Sequence, residues 1–72
     1  MEMMPLALAP EGEKHKIRKI TGTDKSRLHL QEMGFVVGSI VMIVSSLGNN
    51  MIVAVGDARV AISRELAQRI MV

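Results

Sequence analysis

Residues 26–35 read SRLHLQEMGF, and this stretch contains one histidine, one methionine and the only aromatic residue of the chain. Thr23 or Asp24 stands just ahead of it, with a short side-chain oxygen able to accept a backbone N–H that has no partner within a first helical turn. The spacing predicts a helix running to about Met33. Its end is the sharpest boundary in the chain: Gly34 supplies the left-handed residue after the last turn, and Phe35 is placed to touch Leu30 in the hydrophobic contact of a Schellman cap. At about 100° per residue, Leu30 and Met33 share a stripe with His29 at its edge. Leu28 points the other way, between Gln31 and Glu32. A lone exposed leucine is ordinary on a protein surface, and the alternative is that Arg27, Leu28, Gln31 and Glu32 form an outward docking face.

Away from this helix the pattern changes. Ahead of it, KHKIRKI (14–20) mixes apolar and charged residues at short spacing, which predicts one strand with Ile17 on one face and Lys16 and Arg18 on the other. Behind it, after Gly38, come SIVMIVSSL (39–47), MIVAV (51–55) and ARVAIS (58–63), separated by GNN and GD. Rich in β-branched residues and flanked by Gly-Asn and Gly-Asp, they read as three strands in two hairpins. A helical turn near Arg64 to Gln68 follows, and RIMV (69–72) returns as a last strand beside the first. This order is all-β with a short inserted helix, and it predicts a small five-stranded SH3-like barrel with no exposed edge. Residues 1–12, interrupted by Pro5 and Pro10, read as a partly ordered arm in which Leu6 and Leu8 are available as anchors.

A chain of 72 residues is a single domain, and a domain this small buries only about 60% of the surface its unfolded chain exposes. With no cysteine it has neither disulfides nor thiolate metal sites and gives no sign of an oxidising compartment, so a reducing cytoplasm is the expected home. MEMMPLALAP lacks the basic start of a signal peptide and is expected to be retained. No run of about 18 apolar residues occurs, so contact with a membrane is expected only through a partner. The net charge of +2 names no partner by itself, whereas 49% hydrophobic residues, seven of them Met, describe a protein that buries aliphatic surface.

The site chemistries narrow from there. His15, His29 and scattered carboxylates such as Glu32 and Asp57 lack the spacing of a metal site, so no metal and no cofactor are expected. No nucleophile elbow, P-loop or dinucleotide fingerprint is present, so catalysis has no support. Lys14, Lys16, Arg18 and Lys19 form a basic stripe, but single-strand binding on a barrel relies on aromatic stacking and Phe35 is already committed to a cap. A nucleic-acid partner is therefore not expected. Ile40 to Val44 and Met51 to Val55 are apolar on both faces, although a half-solvated sheet alternates apolar with polar. Something must cover the outer face around Met42 and Met51, either the arm and helix of this chain or another protein.

RLHLQEMGFVVGSIV (27–41), with Met33 in a leucine position and glycines at 34 and 38, resembles the FeoA family of prokaryotic ferrous iron uptake. RVAISRELAQRIMV (59–72) is similar to the family's ending through Ala67, Ile70 and Val72. PLALAPEGE (5–13) resembles its opening, with Gly12 after Glu11 where proline-glycine is more usual. The matching positions Leu30, Met33, Gly34, Phe35 and Gly38 are structural. The resemblance implies an SH3-like domain acting in the cytoplasm with FeoB, the membrane transporter that carries a GTP-binding domain. It implies a non-enzymatic accessory protein that docks on that transporter; the off-stripe Leu28 makes the face of Arg27, Leu28, Gln31 and Glu32 the expected docking surface, with the strand surface at Met42 and Met51 the next candidate. A metal-handling domain and a nucleic-acid-binding barrel are the alternatives, and weak self-association is left open.

Overall fold

The computed structural model describes residues 3–72. Its elements run in the order β1 (Lys14–Lys16), β2 (Lys19–Ile20), α1 (Asp24–Glu32), β3 (Ile40–Leu47), β4 (Asn50–Val55), β5 (Ala58–Ser63), α2 (Arg64–Ala67) and β6 (Ile70–Met71), preceded by a 3-10 turn at Leu6–Leu8. The strands form an antiparallel four-stranded sheet ordered β1-β3-β4-β5 and a two-stranded sheet of β2 and β6. The expected strand order and SH3-like class hold, with two changes.

The first expected strand is split. Lys14, His15 and Lys16 pair with Met42, Val41 and Ile40, whereas Lys19 and Ile20 pair with Met71 and Ile70. Between them Ile17 donates its N–H to the Ser39 carbonyl at 2.9 Å and accepts from the Gly38 N–H at 2.8 Å, and the next N–H, of Arg18, goes to the Met71 carbonyl at 2.8 Å. One strand thus passes from one sheet to the other within a residue. Ile17 is buried, with Lys16 and Arg18 exposed on either side.

The second change concerns closure. No strand ladder joins β5 to β6, and α2 bridges them instead, so the two sheets share the kinked first strand without forming a continuous barrel. The edge of β5 is therefore not closed off by a ladder, contrary to the sequence expectation.

The turns follow local chemistry. Leu47 pairs with Asn50 and Val55 with Ala58, leaving the two-residue loops Gly48-Asn49 and Gly56-Asp57. In each only the glycine has positive φ, +59° and +57°. That is the type II′ turn, which matches the right-handed twist of the flanking strands and takes glycine at its first central position. In α1 Thr23 is the N-cap, accepting the Ser26 N–H at 3.2 Å. At the other end the Gly34 N–H reaches the Gln31 carbonyl and the Phe35 N–H the Leu30 carbonyl, both at 3.0 Å, which is the complete Schellman pair. Leu30 and Phe35 are both fully buried.

The arm is part of the core. Met4 and Val72 exchange both backbone hydrogen bonds, and Leu6 is 0% exposed whereas Leu8, two residues on in the 3-10 turn, is 73% exposed. Leu6, Ala7 and Ala9 join Ile17, Val41, Ile43, Val53 and Ile70 in one hydrophobic cluster. Leu8 is not the second anchor because successive residues of a 3-10 turn face different directions.

Two outcomes test this architecture. Gly34 has φ +99°, and a Cβ there meets nothing closer than the Val55 methyls at 3.9 Å. Gly34→Ala is therefore expected to lower stability by about 1–2 kcal/mol through backbone strain alone, seen as a lower urea midpoint. Leu6→Ala is expected to cost about 2–5 kcal/mol, with Leu8→Ala unchanged within about 0.5 kcal/mol. Equal effects at positions 6 and 8 would contradict the docked arm.

Candidate docking surfaces

The strand registers decide which apolar residues remain outside. In β3 and β4 the side chains of Val41, Ile43, Met51, Val53 and Val55 enter the core. Met42 pairs with Ala54 and therefore lies on the opposite face, as does Ile52, whose neighbours across β5 and β3 are Ala61 and Ser45. The register shift at Val44 inserts one extra residue into β3 and realigns the rest of the ladder. Met51 is thus a core residue, 1% exposed, and is removed from the outer surface where the sequence reading had set it beside Met42. Alternation separates the two methionines because they sit on opposite faces of the same ladder.

The outer face is not covered by the arm or the helices. Met42, Val44, Ile52 and Ala54 are half-buried, Ile40 is exposed, and none of them belongs to the cluster that the arm and α2 pack against. Lys14 stands opposite Met42, Lys16 opposite Ile40 and Arg59 opposite Ala54, so the apolar strip is edged by cations. A shallow hollow of about 680 Å³ lies over Ile40, Met42 and Ala54.

The four residues of the expected helix face are all at the surface, and Leu28 is 56% exposed. They do not act together. Arg27 and Gln31, four residues apart on one side of α1, line a groove of about 340 Å³ whose opposite wall is β2 and the loop after α1; Leu28 and Glu32 do not line it. Sequence reasoning missed the far wall, made by Arg18, Lys19, Val36 and Val37. The signal available was the pair of adjacent valines ahead of Gly38, which find no place in the core. Leu30, Met33, Gly34, Phe35 and Gly38 all have the structural places expected of them, Met33 half-buried against the core and Gly38 at φ +97° in the loop.

The two histidines are placed differently: His15 is among the residues lining the hollow over Ile40 and Met42, and His29 lines neither that hollow nor the groove beside α1. His29 is exposed on α1. His15 shares the inner-facing side of β1 with the buried Val41 across the ladder, and its Nε2 approaches Glu13 Oε1 to 3.1 Å. Among the described residues the buried Nε2 makes no hydrogen bond. One histidine and one carboxylate fall short of the three or four donors of a metal cage, and among the described residues no three such groups converge. No helix is long and apolar enough to cross a membrane among the described residues.

Comparison with known proteins adds to this geometry. A model of the FeoA domain matches residues 4–72. A Methanocaldococcus jannaschii protein named Fe(2+) transport protein A is 34% identical over 70 residues, spanning 97% of this chain and 85% of that one. The crystal structure of an FeoA iron uptake regulatory protein superposes with a TM-score of 0.89 at 31% identity, over 99% of this chain and 95% of that one. A zinc complex of Stenotrophomonas maltophilia FeoA, described as an SH3 domain protein, gives 0.80 at 27% identity over 93% and 86%.

The separation of the two methionines has a direct readout. Met51→Ala is expected to cost about 2–5 kcal/mol in urea unfolding, and Met42→Ala about 1 kcal/mol or less. The reverse ranking would contradict this assignment of the two methionines to opposite faces.

Proposed function

The chain belongs to the FeoA family, and on that premise we propose that it is a non-enzymatic accessory protein of ferrous iron uptake, working in the cytoplasm by docking on an FeoB-type transporter. The observation that carries this reading is the surface that the fold leaves unused, apolar on the outer sheet face and cationic in the groove beside α1. The arm and α2 fill the core from one side, and among the described residues neither packs over the strip at Ile40, Met42, Val44 and Ile52. A domain of this size that keeps such a surface has the makings of a subunit. The Stenotrophomonas relative is described as a candidate activating factor of ferrous iron transport.

Docking alone does not regulate. To bias the transporter's assembly or its GTPase cycle, the domain must bind two transporter states with different affinity, since a ligand shifts an equilibrium only by that difference. The metal-handling alternative makes a separate demand: a stoichiometric Fe(II) complex weakened by changes at His15 or His29. Neither histidine belongs to a group of three potential ligands among the described residues.

Tagged protein should recover FeoB from detergent-solubilised membranes of the source organism, and the yield should change when a non-hydrolysable GTP analogue is present. Recovery without nucleotide dependence would keep docking and remove regulation of the cycle. No recovery in either state, from a chain shown to be folded by circular dichroism, would remove docking.

A further inference from the structure

The groove beside α1 differs in chemistry from the rest of the surface. It exists because the Gly38 N–H and the Ser39 carbonyl are hydrogen-bonded to Ile17, at 2.8 and 2.9 Å, which draws the loop after α1 against the bend between β1 and β2. Val36 and Val37, the latter 64% exposed, thereby lie near Arg18 and Lys19, and α1 brings Arg27 and Gln31 to the facing wall. Three cations and two exposed valines border the hollow, and no carboxylate lines it.

These cations are not spent within the chain. Among the described residues Arg18 and Lys19 have no ion pair, and Arg27 has only Asp24 at 3.9 Å, with the Asp24 side chain fully in water. An i,i+3 pair of that kind contributes little and is readily exchanged. A guanidinium presents a planar fork matched to a carboxylate, and two of the three cations are arginines. The valines add a preference for an aliphatic neighbour. A single-stranded nucleic acid has no ring to stack on, because Phe35, the sole aromatic, is fully buried at the base of the groove. A flat anionic membrane is a poorer match than a chain segment, because the apolar residues border a hollow of about 340 Å³.

We propose that this groove is the docking site, and that its occupant is a segment of the transporter carrying a carboxylate beside an aliphatic side chain. The assignment rests on the docking reading above, chooses the groove over the apolar strip as the place of contact, and adds the partner's chemistry. Binding of purified, detergent-solubilised FeoB to the immobilised chain, followed between about 50 and 400 mM NaCl, tests both parts. Affinity should fall as salt rises. At about 100 mM NaCl, Arg18→Glu with Arg27→Glu should weaken binding at least about tenfold, and Val37→Asp should weaken it as well. Lys14→Glu with Lys16→Glu makes the same change of net charge at the edge of the apolar strip and should cost less than about threefold; a larger loss there than from the groove pair would put the contact on the strip and overturn the groove.

Circular dichroism and urea midpoints of the variants separate a lost contact from a lost fold, and Arg27→Lys, which keeps the charge but not the fork, gives a milder second measure. No binding by the unaltered chain removes the docking reading and this assignment together. Binding that is salt-independent, or weakened alike by both charge-reversed pairs, leaves docking in place and overturns the groove. Capture by phosphatidylglycerol vesicles that is stronger than capture by FeoB, and abolished by the groove pair, would overturn the protein segment in favour of lipid.

Discussion

The hand-over of backbone hydrogen bonds at Ile17 and Arg18 is the constraint on which the rest of the molecule depends. Ile17 uses both its N–H and its carbonyl on the loop before β3, and the Arg18 N–H is already bonded to Met71. A straight strand would keep one neighbour and leave the C-terminus to find another. By changing partner at the bend, one strand holds both sheets, and Ile17 enters the core at the point of exchange. The arm completes the same arrangement, since Met4 clasps Val72 through two hydrogen bonds just beyond the β2–β6 ladder and delivers Leu6 to the interior. In a domain too small for a generous core, such shared use of one strand and one arm offsets the lack of layers.

The helix inserted after the bend is attached by little. Leu30 is its sole fully buried residue within Asp24–Glu32, supported by the cap at Thr23 and by the Schellman closure that carries Phe35 inward. A helix of this length is marginal on its own, so these few attachments hold it in place. The consequence is functional: the side of α1 carrying Arg27 and Gln31 makes no demand on the fold and is free to contact something else. The loop beyond the cap is in the same position, as Gly38 and Ser39 are fastened through their backbones while Val36 and Val37 keep their side chains at the surface.

Features set by adjacent residues were legible in the sequence. The Thr23 cap, the Gly34-Phe35 closure and the two glycine-led hairpin loops each follow from steric and hydrogen-bonding rules that operate within a few positions, and the meander and helical turn come with them. Features set by pairing were not. Lys-Ile-Arg alternates smoothly through the bend, so nothing local announces a change of partner. Met42 and Met51 stand in runs that are apolar on both faces, and only the register tells which is inside. The basic stripe at residues 14–19 could be read as a solvated strand, but not as one wall of a groove. Arg18 and Arg27 come to border the same hollow through hydrogen bonds between Ile17 and residues 38 and 39, well separated from it along the chain.

This division bears on how family and function relate. The positions that carry the resemblance to FeoA proteins are buried or conformationally constrained: Leu30, Gly34, Phe35, Ala67, Ile70 and Val72 form caps and core. Packing dictates those residue types, so they specify the backbone, including the bend and the loop that shape the groove. Nothing in the packing dictates a cation at 18, 19 or 27, whose side chains are exposed and contribute no buried contact. The same backbone with acidic or neutral residues there would fold equally well and present a groove of the same form with a different preference. Shape at this site therefore follows from the fold, whereas in the proposed docking the selectivity for a partner would follow from three surface charges that the fold leaves free.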